Sequence, residues 1–161
     1  MFRIFLLLLA PVLASSALAA ESARFIDGVW SGKGAFQMGD KIVLCGDVMM
    51  KFSGDEKTFV VREASMTCDG MPPQNFTEVD SFSLADDGEL TFEKGVATQI
   101  AAGTKVGRVK GARLTMLNPI DATKMDDIDI RLSGDTLVYS QIAGAPGVQP
   151  DYALLAFMKK K

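Results

Sequence analysis

The residues of this chain that could do chemistry are few, and their spacing limits what they could do. Cys45 and Cys68 are its only two cysteines. They are too far apart for a redox motif, where the two thiols stand two residues apart, so they point to a structural disulfide. On the chain-entropy argument, closing a loop of 23 residues stabilises by roughly 3 kcal/mol. Asp121, Asp126, Asp127 and Asp129 gather carboxylates that could offer oxygens to Ca2+, but they lack the spacing of a calcium loop. Met49, Met50, Met66 and Met71 carry soft thioethers of the kind Cu(I) accepts. Only Met49 and Met50 are adjacent, and on a strand they point to opposite faces. Lys105, Arg108, Lys110 and Arg113 form a basic stretch best read as the charged outer face of an edge strand.

The chain has no histidine. That removes Ser-His-Asp and Cys-His nucleophile systems, imidazole-built zinc sites and histidine-ligated haem. No acid, base and nucleophile can be placed together, so no enzyme, metal or cofactor is expected. Lys and Arg number 17 against 20 Asp and Glu, for a net charge of −3. This excess of negative charge argues against a nucleic-acid partner.

The first segment has Arg3, an apolar run from Ile4 past Pro11 to Leu13, and small residues from Ala14 to Ala20. This is the order of a secretory signal peptide, with Ala17-Leu18-Ala19 placing cleavage after Ala19, or after Ala20 as the alternative. The run is broken by Pro11 and is shorter than a spanning helix needs, so no transmembrane anchor is expected. The expected organisation is a signal peptide over 1–19 and one domain over 20–161, working in the periplasm or secreted.

The elements that must position these residues are strands. Hydrophobic residues recur at a period of two in short segments separated by Gly, Asp, Ser and Pro. Three segments read as hairpins. A Gly54-Asp55 turn pairs Met50 with Phe59 and Val48 with Val61; Asp86-Asp87-Gly88 pairs Leu84 with Leu90 and Phe82 with Phe92; Gly134-Asp135 pairs Leu132 with Leu137 and Ile130 with Tyr139. Further strands are expected over 29–37, 106–110, 113–117 and 152–158. Three loops are expected, over 69–75, 118–127 and 144–151. The second could hold a turn or two of helix, with Asn118 as cap and Pro119 at the first position. The fold class is therefore all-β, with about eight to ten antiparallel, hairpin-connected strands in a barrel, and a β-sandwich as the alternative. The first hairpin carries a difficulty. In its register Cys45 lies opposite Ala64, leaving Cys68 roughly 13 Å along its strand, so either a bulge near Gly46 shifts the register or the chain turns back after Met66.

Gly28-Val29-Trp30, followed by Ser31-Gly32-Lys33-Gly34, resembles the Gly-x-Trp signature that opens the lipocalins and related calycin barrels. The resemblance implies that Trp30 closes one end of the barrel, under a basic side chain from a late strand for which Lys159 and Arg131 are the candidates. It also implies a lumen that binds a small, mainly apolar ligand. The residues expected to contact one are Trp30, Met50, Phe59, Phe82, Phe92 and Tyr139, from an inward row that also includes Phe52, Leu84, Leu90 and Ile130. The same row would equally fill a solid core, because about eight strands enclose a lumen only just wide enough for side chains. The chain is also similar to small exported protease-inhibitor barrels, in which 20–26 would be the N-terminal trunk. The alternative functions are thus an inhibitor-like or structural envelope protein with an exported protein as partner.

Overall fold

The computed structural model describes residues 21–95 and 100–161. The expected leader lies outside them. Ten strands are described: β1 Gly28–Met38, β2 Lys41–Gly54, β3 Thr58–Cys68, β4 Gln74–Leu84, β5 Glu89–Gly95, β6 Lys105–Lys110, β7 Arg113–Pro119, β8 Met125–Ser133, β9 Thr136–Gly144 and β10 Tyr152–Lys160. Each pairs antiparallel with its neighbours in sequence, and β1 pairs with β10, so the sheet closes into a barrel. Closure removes the exposed strand edges that an open sheet of this length would present. The sandwich alternative is therefore set aside. Among the described residues no helix is long and apolar enough to cross a membrane.

Two of the expected hairpins form in register. Leu84 pairs with Leu90 and Phe82 with Phe92; Leu132 pairs with Leu137 and Ile130 with Tyr139. Gly88 and Gly134 hold φ of 87° and 61°, the left-handed conformation that a side chain disfavours.

The first hairpin differs from expectation. Gly54 pairs with Phe59 and Phe52 with Val61, while Met50 faces Ala64 and Val48 faces Met66. The turn is longer than two residues because the Asp55 carboxylate accepts hydrogen bonds from the backbone N–H groups of Lys57 and Thr58, both at 2.7 Å, an Asx turn. This register resolves the cysteine difficulty. β3 runs on to Cys68 with an extra residue at Arg62, and a second irregularity at Gly46, between Cys45 and Asp47, sets Cys45 opposite Cys68. The two are joined as a disulfide with Cα atoms 3.8 Å apart.

The 118–127 segment is not helical. Asn118 and Pro119 extend β7 and pair with Asp126 and Met125 of β8, and proline is tolerated at a strand end because it need not donate there. The tight connection is organised by Asp121, whose Oδ1 accepts from the N–H groups of Thr123 and Lys124 at 2.7 and 2.9 Å. The one helical turn described is instead a 3-10 turn at Ala23–Ile26, capped by the Ser22 side chain accepting from the Arg24 N–H.

Candidate functional site

The barrel has two unlike ends. β1 starts at Trp30's end, so antiparallel order places the 3-10 turn and the turns after β2, β4, β6 and β8 there. The β1–β2, β3–β4, β5–β6, β7–β8 and β9–β10 connections lie at the other.

Trp30's end is packed shut. Trp30 is buried, its Nε1 donates to the Ile26 carbonyl at 2.8 Å, and Ala23 and Ile26 of the turn are fully buried. The turn is tied down by the Ala23 N–H donating to the Asp55 carbonyl at 3.0 Å and by Arg24 gripping Glu56 through two bonds of 2.5 and 2.8 Å. Gly54 makes this seat possible, because a Cβ there would lie 2.3 Å from the Ala23 carbonyl oxygen. The ammonium of Lys160 stands 5.8 Å from the Trp30 ring centroid. The late basic partner is thus Lys160; Lys159 is ion-paired with Asp135 and Arg131 is exposed on the outer face. Above this plug, Phe52, Phe59, Phe82 and Phe92 pack ring against ring across β2 to β5, tilted, stacked and edge-on in turn, with centroids 5.5 to 5.8 Å apart.

The other half of the lumen is not filled. It holds a cavity of about 810 Å³. Its wall is mostly apolar, with Phe36, Met50, Met66, Phe82, Met116 and Ile130 contributing from six strands. Met71 and Pro72 of the β3–β4 loop and Ile120 of the β7–β8 loop complete its upper part. Of the six residues expected to contact a ligand, Met50, Phe82 and Tyr139 line this cavity. Trp30, Phe59 and Phe92 are buried with it in one core and belong to the packed half.

A polar group interrupts the apolar wall where β7 to β10 pass the cavity. Asn118 and Asp126 are cross-strand partners, and Gln141 and Tyr139 follow on β9, with Tyr152 on β10. The Tyr139 hydroxyl donates to Gln141 Oε1 at 2.9 Å. Gln141 Nε2 donates to both oxygens of Asp126 at 3.1 and 2.8 Å and approaches the Tyr152 hydroxyl at 3.3 Å. Asn118 is 7% exposed, and its Oδ1 has no hydrogen-bond partner among the described residues. Asp80 of β4 also lines the cavity.

Burial dominates the titration of this group, because a charge loses its hydration there. It pushes the Asp126 carboxyl up to about 6, against the Gln141 hydrogen bond and with help from Asp127 and Asp80. Burial, reinforced by the Asp126 charge, also raises Tyr152 to about 12 and holds the Tyr139 phenol well above its ordinary range.

The acidic cluster seen in sequence is taken apart by the fold. Asp121 organises a turn, Asp126 enters the lumen, and Asp129 faces out to Arg113 at 2.7 Å. The basic stretch faces out as expected, with Lys105 on Glu89 at 2.8 Å and Arg108 within 3.8 Å of Asp87. Of the four methionines, Met50, Met66 and Met71 line the cavity. Asn118, Gln141 and Tyr152 were not singled out as site residues from sequence, although each shares the strand parity of inward residues such as Met116, Tyr139 and Leu154.

Fold and site together define a closed, ten-stranded antiparallel barrel of calycin-like form, plugged at one end and hollow at the other. Among solved structures it is similar to Rv2717c from M. tuberculosis, with a TM-score of 0.55 at 18% identity, over 85% of this chain and 93% of that one. At that identity the likeness is one of fold. No protein-family model and no curated protein sequence matches the chain.

Proposed function

We propose that this is an exported, non-catalytic binding protein that takes a small, mainly apolar ligand into the hollow half of its barrel. The observation that carries the reading is the cavity of about 810 Å³, within the roughly 300–1,000 Å³ of small-molecule sites and, like them, chiefly apolar with a few placed polar groups. Methionines in its wall suit an apolar ligand of irregular shape, since their side chains are flexible and polarisable. The inhibitor reading would want a protruding N-terminal trunk. Here the Glu21 carboxylate accepts from the Gly111 N–H at 2.7 Å, and Ala23 and Ile26 are buried, so that segment serves as the plug. The disulfide and the signal-like leader support a periplasmic or secreted location.

Two measurements test the proposal. Native mass spectrometry of protein purified from its own envelope should show a co-purifying small molecule, and the uncharged fluorophore N-phenyl-1-naphthylamine should brighten on titration and raise the melting temperature. A ligand-free protein that neither binds the fluorophore nor shifts in melting would end the binding reading. Intact mass of the exported form should show a start at Ala20 or Glu21, and retention of 1–19 would make it an anchored protein.

A further inference from the structure

Resting on the binding reading above, we infer that the lumen rejects anionic amphiphiles and takes an apolar body that carries an uncharged or cationic hydrogen-bond donor, an alcohol or an ammonium, at Asn118 and Asp126.

The first ground is the charge of the wall. Among the described residues that line the cavity there is no lysine or arginine, while Asp80 and Asp126 are both there. Lys124, at the end of the neighbouring β7–β8 connection, is bound to Asp151 at 2.7 Å. A carboxylate or phosphate head drawn into this lumen would lose its hydration beside the Asp126 carboxylate, with no lysine or arginine among the described lining residues to compensate, which makes burial of a charge prohibitive. An ammonium meets the opposite situation.

The second ground is the hydrogen-bond inventory. The Nε2 of Gln141 is already directed at Asp126 and Tyr152, and its Oε1 is taken by Tyr139. The Asp126 carboxylate retains lone pairs beyond the two contacts from Gln141, since an ionised carboxylate has about four acceptor sites. Asn118 Oδ1 is enclosed and has no partner among the described residues, which is costly for a buried acceptor. Both groups ask for the same complement, an N–H or O–H, and as cross-strand partners they ask for it at one place. The Tyr152 hydroxyl, which accepts from Gln141, keeps its own O–H and can serve the oxygen of an alcohol.

The titratable groups that act on Asp126 are Asp127, next to it on its own strand but on the outer face, Asp80 of β4, Tyr139 of β9 and Tyr152 of β10. None can become cationic, so ionisation of Asp126 itself governs its attraction for an ammonium. With its carboxyl titrating at about 6, affinity for an ammonium should fall as the pH is lowered through that value, and affinity for an alcohol should not fall with it.

The experiment is displacement of N-phenyl-1-naphthylamine by three amphiphiles of one chain length, decylammonium, decanol and decanoate, at about pH 8, where Asp126 is ionised. Decylammonium and decanol should displace it, and decanoate should be weaker than either by at least about tenfold. Decanoate displacing as well as decanol would overturn the inference and leave the binding reading standing, as would binding of the fluorophore with no displacement by any of the three. Failure of the fluorophore itself to bind would bring down both. Asp126→Asn should lower the affinity ratio of decylammonium to decanol by about tenfold, and an unchanged ratio would remove Asp126 from the site. If that variant does not fold, the wild-type titration of decylammonium from about pH 8 to 5 gives the same decision, with a pH-independent affinity as the overturning result.

Discussion

Trp30 and Lys160 are paired across the β1–β10 seam, and the ammonium stands 5.8 Å from the indole centroid above the closed end of the barrel. The two residues hold that end by different means. Trp30 is buried and hydrogen-bonded to the carbonyl of Ile26 in the 3-10 turn, so it joins the plug to the barrel. Lys160 covers the ring from solvent.

Their replacement should therefore be unequal. Trp30→Ala should cost about 3–5 kcal/mol, the usual range for truncating a large buried aromatic. Lys160→Ala should cost about 1 kcal/mol or less, the size of an exposed cation–π contact. Urea denaturation of the two variants measures this, and equal losses would contradict the division of labour.

Two irregularities of opposite sense, an extra residue at Arg62 of β3 and one at Gly46 of β2, set the cysteine register. Without the shift at Gly46, the register that sets Val48 against Met66 and Asp47 against Thr67 would carry Cys45 past Cys68 to Asp69. Deleting Gly46 removes the extra residue and sets Cys45 directly beside Asp47, still opposite Cys68, so that variant and wild type should both give a single linked peptide on non-reducing mapping. Replacing both cysteines by Ser should cost roughly 2–5 kcal/mol. Freely alkylating thiols in the deletion variant would show that the bulge itself is needed to bring the two sulfurs together.

Much of the barrel was legible because turn chemistry and strand parity agree. In the second and third hairpins a glycine at the left-handed position also placed leucine opposite leucine. The first hairpin was misread because Gly54-Asp55 has the composition of a two-residue turn. Gly54 is in fact required by the carbonyl of Ala23, a contact between distant parts of the chain that local grammar does not contain. Asn118-Pro119 failed for a similar reason: it has the composition of a helix start, but Asn118 belongs to the inward row of β7. The signal for the polar site was present in that parity. Asp126, Ile128 and Ile130 alternate on one face, as do Tyr139 and Gln141, and a polar residue on an inward row is the informative observation. Reading Asp126 together with Asp121, Asp127 and Asp129 as one cluster of carboxylates for Ca2+ concealed it.

The two halves of the lumen should respond differently to truncation. Phe59 is fully buried between Phe52 and Phe82, so Phe59→Ala removes packing on every side and should cost about 3–5 kcal/mol. Met66 lines the cavity and is only partly buried. Met66→Ala enlarges a void that already exists and should cost about 1 kcal/mol, while changing affinity for N-phenyl-1-naphthylamine. Similar stability losses at the two positions, with fluorophore affinity untouched by Met66→Ala, would mean that the upper half packs as a core.

Asp126 should leave a signature in stability against pH. Burial raises its folded-state pKa from the model-compound 3.8 to about 6, so the folded protein binds the proton more tightly than the unfolded chain does. Its contribution is then fully present below about pH 4, is lost as the pH rises through about 6, and is constant above that. A shift of this size corresponds to roughly 3 kcal/mol between the two limits. Exposed carboxylates such as Asp55 and Asp86 are shifted the other way by hydrogen bonds to the Lys57 and Thr58 amides and to the Lys57 ammonium, so the total curve mixes opposing trends. The difference between wild type and Asp126→Asn isolates the buried group, because asparagine has nearly the shape of the protonated acid and no charge to bury. Urea midpoints measured from about pH 4 to 7 should show wild type losing ground against Asp126→Asn as the pH rises. A difference that stays flat across that interval would place the Asp126 carboxylate in contact with water rather than in the wall of a desolvated lumen.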